Sequence, residues 1–521
     1  MDGRQGDGAV KRTAEEPAVG ATDAKAARTD AAQDAPGQRL AKRKVAVFFG
    51  YCGSGYSGLQ VNPGVKTIEG DIFDAFCRAG AVSADNAVNP NKVQLQRAAR
   101  TDRGVHAAGN LLTLKLILEP PALAEGQSLA QYVNTLLPEQ VRVWGLRRVQ
   151  NAFNARTSCD SRMYEYLLPT YVFIPPKPYS SMWRMLRRLH GAEGEPDAAL
   201  PPWDDPAVRE DPVLNHAFWR EHGYTSEFAQ DVQAKRQWRI PPEILERVRC
   251  IFAEYTGSHN FHNYTLGKEF RDRSAHRNMK RLSISEPQII HGTEWVSVKF
   301  HGQSFMLHQI RKMIGLLVLI GRTAAPKTLV TETFGPARIH VPKAPGLGLL
   351  LEQPFFGGYN IKVGNSNARI DQHVASLRAK AAAAEPDGRA PEELAAAAHP
   401  LAGTRELVDF EAFGEEMQAF KQRFIYDQIH KTEEDTSEFA KWLNYLDVFV
   451  GPDFEFLNPR GVIPQCAILR VGEQRRAPGG QPKAKKPAPG ESPAPEETHA
   501  TVQDSDEEEV APAADAAELE G

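Results

Sequence analysis

Cysteine is scarce in this chain: five in 521 residues (Cys52, Cys77, Cys159, Cys250, Cys466), with no C-x-x-C spacing. That scatter excludes a zinc site built from cysteine pairs and fits a reducing compartment. Long apolar runs are missing too. The most apolar stretch, MIGLLVLIG at 313–321, is far short of the roughly 20 residues that cross a bilayer, and His308, Arg311 and Lys312 stand at its start. The first residues hold no apolar signal core, and their Asp and Glu argue against a mitochondrial presequence. The expectation is a soluble chain with no membrane association. An excess of one charge sign is lacking as well, since 62 Lys and Arg against 66 Asp and Glu leave a formal net charge of −4.

What is present is uneven. Asp504, Asp506, Glu507, Glu508 and Glu509 concentrate negative charge near the end. Basic clusters occupy the middle: Arg97/Arg100/Arg103, Arg142/Arg147/Arg148, and Lys268 through Arg281. Any one cluster alone reads more readily as a solvated face. Together they make a basic surface suited to a phosphate-rich partner, hidden beneath a neutral total.

Length and composition divide the chain. Residues 1–42 have little to bury and read as a disordered tail, as do 472–521, first basic and then acidic. Residues 43–160 and 161–362 read as two halves of one folded region, the second with an insertion at about 180–240. A low-complexity linker (363–403) precedes a helical extension at 404–471. In the first half KVAVFFGY, GNLLTLKLIL and VRVWGLRRV read as strands, with helices over TIEGDIFDAFCRAG (N-cap Thr67, stop Gly80) and SLAQYVNTLL. In the second, RMYEYLLPTYVF, KRLSISEP and EWVSVKF read as strands, PPEILERVRCIFAEY and SFMLHQIRKMIGLLVLIGR as helices. The order suggests α+β, ferredoxin-like units. Along the last helix Met306, Ile310, Met313, Ile314 and Leu317 form a buried stripe that leaves Arg311 toward one edge.

Gly53-x-Gly55-x-x-Gly58 after the first strand has dinucleotide-binding spacing. That motif needs a helix starting at once beneath the pyrophosphate. Leu59-Gln60-Val61-Asn62-Pro63-Gly64 follows instead and breaks a helix, so the loop suits close approach to an RNA backbone better. His259 and His262 lack further metal ligands nearby and read as structural or RNA-facing. The segment RAARTDRGVHAAG (97–109) is more unusual: Asp102 stands between Arg100 and Arg103, followed by Gly104. Neighbouring guanidinium groups favour the ionised carboxylate, and glycine permits a sharp turn and a close ligand. Spacing alone allows either a structural Arg–Asp pair or a positioned nucleophile.

ARTDRGVHAAG resembles the A/G-R-T-D-x-G-V-H/S-A motif of the TruA family of pseudouridine synthases. In chain order, GYCGSGYSGLQ resembles that family's early loop, FNARTSCDSRMYEYLLPT its F-x-A/S-R…Y-x-Y segment, and GQSFMLHQIRKMIGLL its F-x-x-H-x-I/V-R-x-x-V/I-G helix. GSHNFHNYT and VPKAPGLGLLLE resemble more specifically the eukaryotic synthase 1 branch, and the similarity spans about 44 to 360.

The resemblance implies an antiparallel-sheet core of two ferredoxin-like halves, a basic cleft between them, and no required cofactor. It implies an isomerase: uridine loses its N1–C1′ bond, the base turns, and C5 joins C1′. By the same resemblance Asp102 is the catalytic carboxylate, Arg311 its partner, and Tyr164 the ring that stacks on the target base and is a candidate for removing the C5 proton. Attack at C1′, attack at C6 and a glycal route stay open. Candidate RNA contacts are Arg100, Arg103, His106 (more in support than in contact), Tyr56, Gln60, Arg156, Lys268, Arg271 and His308. The partner is tRNA, with small nuclear and messenger RNAs as further candidates, and a monomer is slightly favoured. AKRK at 41–44, RR at 475–476 and KAKK at 483–486 point to the nucleus. The alternatives are an inactive RNA-binding or tRNA-chaperoning protein of the same fold, and a sister branch acting on other anticodon-arm uridines.

Overall fold

A computed structural model describes residues 40–191, 202–204, 206–383 and 404–469. Of the segments read as disordered tails, 1–39 and 472–521 lie outside the described residues, as do 384–403 of the expected linker, whereas residues 40–42 are described.

The first half is built on β1 (Lys42–Tyr51), β2 (Gln96–Arg97), β3 (His106–Ile117) and β4 (Val141–Arg148). From Val45 onward every residue of β1 is buried, so both its faces are covered and the sequence reads as one apolar run rather than an alternation. Helix Ile68–Arg78 starts where the Thr67 side chain accepts from the Gly70 amide, and it buries Ile68, Ile72 and Phe76. Helix Leu129–Leu136 opens on a reciprocal Ser128/Gln131 capping box.

The second half contributes β5 (Ser161–Pro169), β6 (Gly257–Asn260), β7 (His276–Ile284), β8 (Gln288–Ile290), β9 (Thr293–Gly302) and β10 (Leu349–Phe355). All ten strands share one sheet, ordered β4-β1-β3-β10-β5-β9-β7-β6, with β2 on β3 and β8 on β9. The α+β expectation holds. The order β4-β1-β3-β2 in the first half recurs as β10-β5-β9-β7 in the second, each a ferredoxin-like pattern. The two halves join where β10 pairs parallel with β3 through Leu350–His106 and Leu351–Ala107.

Four expectations change. The helix read over SFMLHQIRKMIGLLVLIGR begins only at Gln309 and ends at Thr323, because His308 turns left-handed at φ 60° just before it. Met306 therefore precedes the helix, and the single buried stripe becomes a helix enclosed on nearly all sides, Arg311 included. The strand read through RMYEYLLPTYVF stops at Pro169 and continues as a 3-10 turn, Thr170–Phe173. The expected linker begins as helix, since Gly357–Ala383 runs into it.

The insertion carries helices Ser181–Leu189, Ala217–His222 and Phe228–Gln237. The C-terminal extension is helical: Gly414–Phe420, a π turn at Lys421–Tyr426, Asp427–Thr436 and Glu438–Asp447. It packs on the sheet through Phe410, whose ring meets Phe48 edge-on at 4.9 Å, and on helix Gln309–Thr323 through a buried ion pair of Asp447 with Arg322 at 2.7 Å.

Candidate active site

The segment 98–105 enters β3 at the junction of the two halves. His106 begins β3 beside Leu350 of β10, and β10 in turn pairs Leu351 with Tyr164 and Leu349 with Tyr166 of β5. Asp102 therefore sits on a loop at the β3–β10–β5 seam, with its side chain exposed.

Most residues of this segment are tied down. Arg97 is paired to Glu69, which is fully buried. Burial pushes the Glu69 carboxyl up, and the Arg97 guanidinium opposes that. The Ala98 carbonyl accepts from Arg162 Nε at 3.1 Å and Nη2 at 2.6 Å. Asn110 Nδ2 donates to the Ala99 carbonyl at 3.1 Å, and the hydroxyls of Tyr51 and Thr101 share a hydrogen bond of 2.7 Å. The Leu59 amide donates to the Thr101 carbonyl, and the Val105 amide closes the turn on the Asp102 carbonyl. Gly104 makes that turn at φ 74°, which side chains of L residues disfavour.

The glycine-rich loop is a buttress for this turn. A Cβ on Gly58 would sit 3.1 Å from the Thr101 carbonyl oxygen, so glycine permits the close approach of the two main chains. The Gly53 amide donates to His106 Nδ1 at 3.1 Å, which leaves the imidazole proton on Nε2. His106 is 2% exposed, and burial pushes its pKa down to about 4, so the ring is neutral. Tyr56 is equally buried and donates to Asp71 Oδ2 at 2.6 Å, with Lys66 over its ring. His106, expected more in support than in contact, is buried at the start of β3; Tyr56, expected as an RNA contact, is buried with its hydroxyl on Asp71.

Tyr164 and Tyr166 share one face of β5. The Tyr164 ring meets Phe305 edge-on at 5.0 Å. Burial pushes its phenol up to about 12; Asp102's charge adds to the rise and Arg162 opposes it. Tyr166 donates to the Pro345 carbonyl at 2.6 Å, and its phenol feels the charge of Arg311. Arg311 is 7% exposed; its Nε donates to the Ala344 carbonyl at 2.8 Å, and the Ala344 amide returns a bond to the Arg311 carbonyl. Gly346 lies beside the guanidinium, where a Cβ would be in ordinary contact at 3.6 Å from its carbon. The two tyrosines thus relate the Asp102 loop of one half to the Arg311 helix of the other.

Arg100, Arg103, Gln60 and Arg156 are exposed. His308 takes its left-handed turn three residues before Arg311. Lys268 and Arg271 lie on the connection between β6, at the edge of the sheet, and its neighbour β7, where Lys268 is bound by Asp272 at 2.8 Å. His259 stacks on Phe334 at 4.2 Å and His262 is buried against Phe270, both structural positions. Sequence reasoning passed over Arg162, Asn110 and Tyr51. Asn110 alone carried a signal, as a polar residue inside an apolar strand.

The tRNA pseudouridine synthase profile matches residues 251–357. A protein of Yarrowia lipolytica named tRNA pseudouridine synthase 1 is 38% identical over 487 residues, covering 88% of this chain and 84% of its own. The Saccharomyces cerevisiae protein of that name is 43% identical over 350 residues, covering 62% and 63%. A tRNA pseudouridine(27/28) synthase of Saccharomyces cerevisiae is 40% identical over 340 residues, covering 61% and 86%. Similarity of this extent, over a fold of two ferredoxin-like halves joined beside Asp102, shows that the chain belongs to the tRNA pseudouridine synthase family.

Proposed function

We propose that the chain isomerises selected uridines of tRNA to pseudouridine, with Asp102 as the reacting carboxylate. The observation that carries the reading is an exposed carboxylate on a tightly anchored loop that leads into β3 at the seam where β10 pairs with Tyr164 of β5. The reaction breaks N1–C1′, forms C5–C1′, releases the C5 proton and returns a proton to N1. Nothing is oxidised or added.

The target nucleoside leaves its stack, at a cost of a few kcal/mol, to reach Asp102. Arg100 and Arg103 flank the carboxylate and fit contacts to phosphates beside the flipped residue. Tyr164, protonated far above neutral pH, serves as a stacking surface for the uracil; taking the C5 proton would require it to pass its own proton on. Arg311, held by Ala344, is the fixed cation that keeps Asp102 ionised and aimed. Attack at C1′, attack at C6 and a glycal route are all compatible with this arrangement.

A second reading, a sister-branch synthase acting on other anticodon-arm uridines, is favoured by the 40% identity to the tRNA pseudouridine(27/28) synthase. Small nuclear and messenger RNAs are further candidate substrates, and a monomer is the favoured state. For nuclear placement, Lys42–Lys44 is folded into β1 with Lys44 buried, so the argument rests on RR at 475–476 and KAKK at 483–486, outside the described residues. The test is tritium release from C5-labelled uridine in a tRNA transcript, followed by mapping of the product positions. Release without added cofactor supports the reading, binding without release favours the inactive RNA-binding alternative, and the map separates the two synthase branches.

A further inference from the structure

The other face of β5 carries a buried ionic cluster that the reaction above does not use. Glu165 follows Tyr164 and so projects from the opposite side of the strand. It is 2% exposed, and its Oε2 accepts from Lys421 Nζ at 3.1 Å and from the Tyr426 hydroxyl at 2.7 Å, while Ser297 donates to Oε1. Lys421 also reaches both carboxylate oxygens of Glu352, at 2.9 and 2.8 Å. Glu352 is the extra residue where the register of β10 on β5 shifts between Leu351 and Gln353, and Leu351 is the partner of Tyr164. A β-bulge therefore lies directly across from Tyr164.

The π turn Lys421–Tyr426 is what points both donors at one carboxylate, because its wider i to i+5 repeat brings residues five apart together. A β-bulge and a π turn, two features that recur near functional sites, thus meet on one lysine. Burial disfavours charge on Glu165, but Lys421, Ser297, Tyr426 and Lys299 together hold its carboxyl below the usual range; burial pushes Glu352 up, and Lys421 opposes that. Lys299 of β9 is the further cation acting on both.

We propose that Lys421 is a positioning residue for the reaction: by clamping the Glu352 bulge of β10 to Glu165 of β5, it fixes the strand pair that carries Tyr164 and makes the C-terminal extension part of the active enzyme. The inference rests on the role given to Tyr164 above. Without the ammonium, the buried carboxylate of Glu165 and the half-buried one of Glu352, on adjacent strands, face each other with Lys299, Ser297 and Tyr426 as their remaining partners. They share a proton at low pH and repel once it leaves. Removing Glu352's charge as well lifts the imbalance.

The test uses the full chain and compares wild type, Lys421→Met and the double variant Glu352→Gln/Lys421→Met. It measures kcat and KM for pseudouridine formation across pH, with tRNA affinity and thermal unfolding alongside. Lys421→Met is expected to bind tRNA within about twofold of wild type and to lose kcat by about a hundredfold, the scale of a 1 Å misplacement from a remote change. The loss should deepen as pH rises. The double variant should regain most of kcat and a flat profile. Wild-type kcat and pH profile in Lys421→Met, a defect confined to KM, or a folded double variant that stays inactive would each overturn the proposal. If Lys421→Met does not fold, the double variant decides by itself. A wild-type chain that forms no pseudouridine overturns the parent reading, and this one with it, before Lys421 is touched.

Discussion

Asp102 acts from a loop with little freedom of its own, and the residues that remove that freedom come from both halves. Tyr51, Leu59 and Asn110 hold it from the first half and Arg162 from the second. Arg311 is fixed from the other side by Ala344. Arg311→Leu leaves the Ala344 carbonyl without its donor and Asp102 without the proposed cation. It should lower kcat by roughly a hundredfold with tRNA affinity little changed, measured by single-turnover tritium release and filter binding. His106 gives a pH signature. Its folded imidazole stays neutral down to about 4, while the unfolded one protonates below its ordinary 6.5. The unfolded state thus binds the proton first, so this contribution is full above 6.5 and is lost as pH falls toward 4, by up to about 3 kcal/mol. His216 and His430, also held down to about 4, act in the same window. Denaturant unfolding should therefore show a shallower acid decline for His106→Gln than for wild type, and equal slopes would contradict this.

At the scale of the element, helix Gln309–Thr323 shows how closely the site is packed. A Cβ on Gly315 would lie 1.9 Å from the Pro342 carbonyl oxygen, on the segment that goes on to hold Arg311. Gly315→Ala must push helix and segment apart; we expect about 1–3 kcal/mol of destabilisation in urea unfolding and a matching loss of activity. The same helix marks what a sequence can reveal. Its apolar length, the strand VRVWGLRRV and the Thr67 cap are local patterns and were legible. The boundary at His308 was not, because a left-handed residue with a histidine side chain carries no local stop signal. Strand β10 was missed because its bulge at Glu352 and Pro354 break the alternation that marks a strand, and β2 is two residues long, below any period. Asp102, Tyr164 and Arg311 could be singled out by resemblance. Arg162 stood in the quoted RMYEY, but its bond to Ala98 spans 64 residues of chain, which spacing cannot convey.

At the scale of the molecule, the sheet is continuous through β3 and β10, and the C-terminal extension meets it at Phe410 and helix Gln309–Thr323 at Asp447. Arg322 is 2% exposed and is held by Asp447 at 2.7 and 3.2 Å and by the Ile174 carbonyl. Asp447→Asn leaves that guanidinium buried without its counter-charge and should cost about 3–5 kcal/mol in urea unfolding; a cost below about 1 kcal/mol would mean that the extension docks without this pair. The most direct measurement is pseudouridine formation by Asp102→Asn in single turnover, with enzyme in excess over C5-tritiated tRNA and affinity measured in parallel. We predict tRNA binding within about twofold of wild type, since phosphate contacts supply most of it, and no tritium release above background. Release at a rate near that of wild type would contradict the assignment of Asp102.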